Sequence, residues 1–378
     1  MTSNQTKLTF LVLILIIIMG SGLRFYGLDR SLWLDEVLSV ASQSDFQRHL
    51  SNIYLPMHLY FVVLHIFTYF GTSEIVLRLP SFIFGILSII LMYKIGKLFF
   101  GRLEGLIGAF LLSISTILIR HSQEARYYSL SAFLSLLSFF FLFKAVKEHD
   151  RKLWVGFFFS TILAVLSHYY MIFIVLIEVI FLGIMFAKYP KSFILGVKKI
   201  GKAKIVLLLF GLLIISVFSF PIIQNILNQF LSGSGYAGQA TFGIPPESFF
   251  QDLFSNFSFG YSFSYFTFLS GTLAGTLFLF VFFLFLLMGL VTSAKNYNDQ
   301  TILLVLWIFL PAMIIYFLSV SLNSALIDAK YLIFIIPSYL LCISKGISSI
   351  SSNLLKYYYR CIFIWSSFCT QYYSTNMI

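Results

Sequence analysis

The chain has 378 residues, of which 59% are hydrophobic and only 10% charged. Soluble domains carry about 25% charged residues. These proportions, with a mean hydropathy of +0.94, exclude a soluble enzyme and a disordered chain and define an all-α polytopic membrane protein. A formal charge of +11 would suit nucleic acid, but basic cytoplasmic loops give the same balance. The three cysteines, Cys342, Cys361 and Cys369, make neither a disulfide framework nor a CxxC metal pair.

Crossing a bilayer takes about 20 apolar residues. Runs of that kind predict spans near 8–23, 77–99, 104–120, 127–145, 153–168, 170–187, 204–221, 266–292, 301–320 and 331–349. A shorter apolar stretch, 361–369, brings the expected number to about 10–11. The first run, followed by Gly20-Ser21-Gly22, imitates a signal peptide and is read as an uncleaved span. Residues 57–70 are apolar too. They follow Pro56 and carry His58 and His65, and are read as an interfacial helix. Charge supports this choice. With the N-terminus inside and 57–70 not crossing, 18 of the 25 basic residues fall on the cytoplasmic side, as the positive-inside rule requires. The basic stretch 188–204 then faces anionic lipid of the inner leaflet. Two long segments lie outside, 24–76 and 222–265.

Seven basic residues remain on the outer face: Arg24, Arg30, Arg48, Arg78, Arg120, Arg126 and Lys330. Six are arginine, whose planar fork suits phosphate as lysine does not; snorkelling arginines at helix ends are the plain alternative. Two acidic groups share that face. Asp35-Glu36 follows the first span, and His121-Ser-Gln-Glu124-Ala-Arg126-Tyr-Tyr128 ends the third. A carboxylate can take a proton from an attacking hydroxyl, and arginines can neutralise a departing phosphate. The pattern suits transfer from a phosphate-activated donor. For Asp35 and Glu36 the alternative is a pair of acids at a helix start.

These residues resemble a family. Arg30-Ser-Leu-Trp33-Leu-Asp35-Glu36 is similar to the first-loop signature of GT-C glycosyltransferases, in particular glycosyltransferase family 39, protein O-mannosyltransferases and aminoarabinose transferases. The resemblance continues through Pro56-Met-His58-Leu-Tyr60, His65, Glu74-Ile-Val-Leu-Arg78-Leu-Pro80, Phe99-Phe-Gly101-Arg102 and His121–Ser129, over about residues 20–180. It implies a GT-C transmembrane domain over 1–350 whose first outer loop carries interfacial helices and the catalytic acid. It implies an extracytoplasmic active site and a sugar donor on a polyprenyl phosphate. Asp35 would be the catalytic acid, with Glu36 beside it and Glu124 assisting. Arg78, Arg120, Arg126 and Lys330 would bind the donor phosphate. Lys330 stands where relatives carry Arg, and His58 where they carry a second proline. Tyr60, Gln123, Tyr127 and Tyr331 belong to the same motifs and are expected to contact substrate. His58 and His65, two turns apart, either do so or are interfacial polar groups. The tail 351–378 reads as either a short version of the family's end or a truncated one.

The sequence therefore predicts inverting glycosyl transfer to a protein, lipid or polysaccharide acceptor of the cell envelope, at the plasma membrane. A lipid-linked sugar flippase or an inactive scaffold subunit is the alternative. No cofactor is expected, a divalent metal stays open, and no nucleic-acid partner is expected. Other residues read more plainly. His168-Tyr169-Tyr170 sits in the interfacial aromatic belt. Glu178 lies mid-span, where a carboxylate is either functional or a helix contact.

Overall fold

The computed structural model describes residues 3–44, 58–190, 246–260, 273–322 and 328–350. Among these residues there is helix and no strand. In chain order the helices are α1 (Ser3–Phe25), α2 (Leu34–Ser44), α3 (His58–Thr68), α4 (Glu74–Phe99), α5 (Arg102–Ile114), α6 (Thr116–Ser122), α7 (Tyr128–Glu148) and α8 (Arg151–Ser167). They continue as α9 (Ile172–Lys188), α10 (Phe249–Phe259), α11 (Leu273–Asn296), α12 (Asn298–Leu322) and α13 (Ile336–Ser348). Short 3-10 turns precede α9, α10 and α13, at Tyr169–Met171, Pro246–Ser248 and Ala329–Ile335. Among the described residues seven helices are long and apolar enough to cross a membrane, or eight with the bent pair α5–α6. Each span read from sequence meets a helix except 204–221, which lies outside the described residues, as does 361–369. This is a multi-pass membrane protein.

Inside lipid every backbone polar group must be satisfied, in a helix or in a closed barrel, and continuous apolar runs of about 20 residues suit the helix. What the runs do not show is where helices meet. α4 and α5 touch at glycines: a Cβ on Gly96 would sit 2.7 Å from the Gly105 Cα. α11 and α13 are closer still, since a Cβ on Gly346 would come within 2.1 Å of the Phe285 carbonyl oxygen. Small residues let backbones approach in this way. Between α5 and α13, Lys345 Nζ donates to Glu104 Oε1 at 2.9 Å. Deeper in, Glu178 of α9 is buried and accepts from Ser138 of α7 and Thr161 of α8. Three helices are thereby tied by one carboxylate.

Two predicted spans are not uniform. The run 104–120 is broken at Ser115, where α5 and α6 meet at 61°. The break frees carbonyls at the end of α5. Arg24 fills that place: fully buried, it donates from Nη1 to Ser113 O at 2.8 Å and from Nη2 to Leu112 O at 3.1 Å. The sequence put Arg24 at the outer surface; the structure turns it inward as a helix cap. The run 331–349 begins as a 3-10 helix carrying Lys330 and Tyr331 before α13 takes over. At 11 residues α3 is too short to cross, and with α2 it lies over one end of α4. That end holds the site.

Candidate active site

The start of α2 divides the acidic pair. Glu36 is wholly buried and reaches back, Oε2 accepting the Trp33 backbone N–H at 3.2 Å, the carboxylate half of a capping box. Its oxygens also accept Arg78 Nε at 2.8 Å, Arg78 Nη2 at 2.7 Å and the Ala125 N–H at 2.6 Å. Arg78 spends its remaining donors on the carbonyls of Leu28 (2.8 Å), Arg30 (2.5 Å) and Ser31 (3.1 Å). A guanidinium has five N–H donors, and all are used. This corrects two expectations. Arg78 has no N–H left for a phosphate, and Glu36 has no lone pair facing solvent. Together they fasten the loop between α1 and α2 to α4 and to the Glu124 loop.

Asp35 faces the other way. Its side chain is 31% exposed, with Oδ2 3.8 Å from Arg126 Nη2. Arg126 is held by its Nη1, which donates to the Asp35 carbonyl (3.2 Å) and to Ser39 Oγ (3.0 Å). Its guanidinium lies 5.3 Å and 5.8 Å from the ring centres of Tyr127 and Tyr128. The long Oδ2–Nη2 approach leaves both groups able to turn to a ligand.

Glu124 completes the cluster from the loop after α6. Oε2 accepts His121 Nδ1–H at 2.8 Å and Oε1 accepts Arg120 Nε–H at 3.2 Å. Burial pushes its carboxyl up, but the charges and hydrogen bonds of His121 and Arg120 outweigh that and hold it down at about 2. Glu124 is therefore a fixed carboxylate. Arg120 is 56% exposed on its side-chain surface, the most open cation of the group.

The other expected contacts sort by burial. Tyr60 is buried. Ser81 Oγ donates to the Arg126 carbonyl at 2.9 Å, so the Tyr60 hydroxyl donates to Ser81 Oγ at 3.2 Å. It supports the Arg126 loop from below and does not face substrate. Gln123 donates to the carbonyls of Leu23 (3.0 Å) and Tyr26 (2.6 Å), clipping the same loop to the end of α1. His65 lies by Tyr69, just past the end of its own helix, Nε2 to hydroxyl 3.3 Å. The His58 side chain is outside the described residues. Tyr127 is buried and stacks on His168 at 4.2 Å, with Tyr331 5.7 Å from His168 on a near-parallel plane. Lys330 lies 3.5 Å from Asp328 and 5.4 Å from the Tyr331 ring centre, so the late segment joins the site through this aromatic stack.

Sequence reasoning passed over Ser39 and treated His168 as belt. His168 is buried. Burial, and then the Arg126 charge, push its imidazole well below the ordinary value. Its Nδ1 accepts the Tyr170 N–H at 3.3 Å, which leaves the proton on Nε2, a buried atom without a hydrogen-bond partner among the described residues. Among the described residues no group of three or more His, Cys, Asp or Glu side chains is placed to hold a metal.

An all-helical bundle of membrane spans fits the GT-C fold expected from the sequence, and comparison bears out that fold. Residues 55–223 match the family model described as dolichyl-phosphate-mannose-protein mannosyltransferase. The structure superposes on ArnT from Cupriavidus metallidurans bound to undecaprenyl phosphate with a TM-score of 0.54 at 13% identity, over 93% of this chain and 61% of that one. It superposes on the Archaeoglobus fulgidus oligosaccharyltransferase tethered with an acceptor peptide containing the NVT sequon (TM-score 0.61, 15% identity, 92% and 50% of the chains). The oligosaccharyltransferase AglB of Archaeoglobus fulgidus in complex with an inhibitory peptide and a dolichol-phosphate is similar (0.60, 13%, 96% and 52%). No curated protein matches significantly. The chain spans between half and two thirds of the length of these structures. It has the GT-C fold.

Proposed function

We propose that the chain transfers a glycosyl group from a polyprenyl-phosphate-linked sugar to an acceptor at the extracytoplasmic surface of the plasma membrane. The observation that carries this reading is Asp35, a half-open carboxylate beside Arg126, on a loop locked in place by Glu36 and Arg78. The acceptor hydroxyl or amine loses its proton to the Asp35 carboxylate as its heteroatom bonds to the anomeric carbon. The bond from that carbon to the phosphate oxygen breaks on the opposite side, and its electron pair leaves with the polyprenyl phosphate. One displacement inverts configuration. Arg126, Arg120 and Lys330 meet the charge that develops on the phosphate. Glu124 keeps Arg120 and His121 oriented.

The two solved relatives described as bound to undecaprenyl phosphate and to a dolichol-phosphate support this donor class. The family model, described by a dolichyl-phosphate-mannose donor, favours a hexose. The test is release of free polyprenyl phosphate from a panel of polyprenyl-phosphate sugars by purified protein and membrane extract. Wild type is expected to release it and Asp35→Asn to lose at least about a hundredfold in rate, within the range for one acid–base group. Equal release by both would remove Asp35 from the mechanism.

A further inference from the structure

A cavity of about 500 Å³ opens at the end of the bundle opposite Asp35, between the ends of α4, α7, α9, α11 and α12. It is lined by Lys97, Lys147, Tyr189, Asn298, Asp299 and Gln300, among others. α4 alone, at 26 residues and about 1.5 Å per residue, keeps this cavity a membrane's width from the site.

The charges here are unequally matched. Asp299 is neutralised by Lys188, Nζ to Oδ1 2.7 Å. At the same end Lys144 pairs with Glu148 at 3.5 Å and Lys345 with Glu104 at 2.9 Å. Lys97 and Lys147, the two lysines that line the cavity, pair with no carboxylate among the described residues. Lys147 is steadied instead by the Phe143 ring, 4.7 Å from its Nζ. The Tyr189 hydroxyl and the Gln300 amide are engaged with Asp299 and the Phe99 carbonyl, so two unmatched ammonium groups beside the Asn296 and Asn298 side chains make the receptor for a phosphate. The surroundings say which kind. One turn in from Tyr189, α9 exposes Phe186 at 47%, and a little further in from the cavity α11 exposes Val291 at 54%. A polar, cationic cavity bordered by apolar helix faces fits an amphiphile.

We propose that this cavity binds the phosphate headgroup of an anionic phospholipid from the leaflet at that end, its acyl chains lying along α9 and α11. Cationic pockets between spans hold anionic headgroups in this way. The site does not depend on the proposed glycosyl transfer.

The test uses delipidated full-length protein titrated with phosphatidylglycerol or phosphatidylcholine and read by native mass spectrometry. The variants are Lys97→Gln, Lys147→Gln, their double, and Lys94→Gln, an exposed lysine of α4 outside the cavity. Wild type and Lys94→Gln are expected to retain one phosphatidylglycerol in preference to phosphatidylcholine. The double variant should bind it about tenfold more weakly, and each single variant should fall between. Lipid-free unfolding temperatures identify any variant that has merely lost its fold; the singles, each keeping one lysine, then decide. Equal retention by wild type and the variants overturns the proposal, as does indifference between the two lipids. Glycerol phosphate binding at these lysines in place of the lipid would overturn the lipid as occupant.

Discussion

Two neighbours in sequence, Asp35 and Glu36, do different work because a helix turns successive side chains about 100° apart. Glu36 lands inward on Arg78 and Asp35 outward beside Arg126. Removing one partner of a buried pair leaves the other charge uncompensated, at about 3–5 kcal/mol. Arg78→Met should therefore lower the unfolding temperature sharply in detergent. Arg78→Met/Glu36→Gln should regain part of it, and Asp35→Asn should leave it near wild type. A stable but inactive Arg78→Met would return Arg78 to the donor phosphate. Glu124 supplies a second prediction. Its folded-state pKa, about 2, lies below the ordinary 4.5, so its contribution is complete above about 4.5 and fades as pH falls towards 2. At about 1.4 kcal/mol per unit this is at most on the order of 3 kcal/mol. Glu124→Gln should flatten that acid limb of the stability curve; parallel curves would show that His121 and Arg120 do not hold the carboxylate. The sequence identified these residue types and the face they share. It could not separate Asp35 from Glu36, or Arg78 from Arg126, since that depends on which backbone carbonyls a guanidinium meets after folding.

Helices pack here through glycine, and the contact is one-sided in its consequences. A methyl on Gly346 meets the Phe285 carbonyl oxygen at 2.1 Å and the Phe285 Cα at 3.1 Å, so backbone must move. A methyl on Gly183 meets nothing within 4 Å among the described residues. Alanine is favoured over glycine in a helix by about 1 kcal/mol. Gly183→Ala should raise the unfolding temperature slightly or leave it unchanged. Gly346→Ala should lower it, by about 1–3 kcal/mol of overpacking less that propensity gain. The same loss at both positions would mean that close approach of α11 to α13 is not what Gly346 provides. Apolar runs gave the helices their lengths to within a turn or two. The break at Ser115 was invisible in 104–120, because nothing in that run marks it. Its cause is distant: Arg24 of α1 accommodates the carbonyls that the break releases, a pairing some 90 residues apart.

Charge orders the whole molecule along the bundle axis. The described ends that carry Lys94, Lys97, Arg102, Lys144, Lys147, Arg151, Lys188, Lys295 and Lys345 gather opposite the end that carries Asp35, Glu124, Arg120 and Arg126. The positive-inside rule predicts that the first end is cytoplasmic, which would put Asp35 outside, where the proposed lipid-linked donor and envelope acceptor would meet. The reading is testable without any substrate. Asp29 is exposed beside the site, and Asn298 is exposed at the opposite end. In a cysteine-free background, Asp29→Cys should react with a membrane-impermeant maleimide on intact cells. Asn298→Cys should react only after permeabilisation. The reverse pattern would turn the bundle over, make the basic end extracytoplasmic and bring the Asp35 site into the cytoplasm. The fold would stand in that case, since it rests on packing, but the proposed acceptor would not, because an envelope acceptor never reaches a cytoplasmic site.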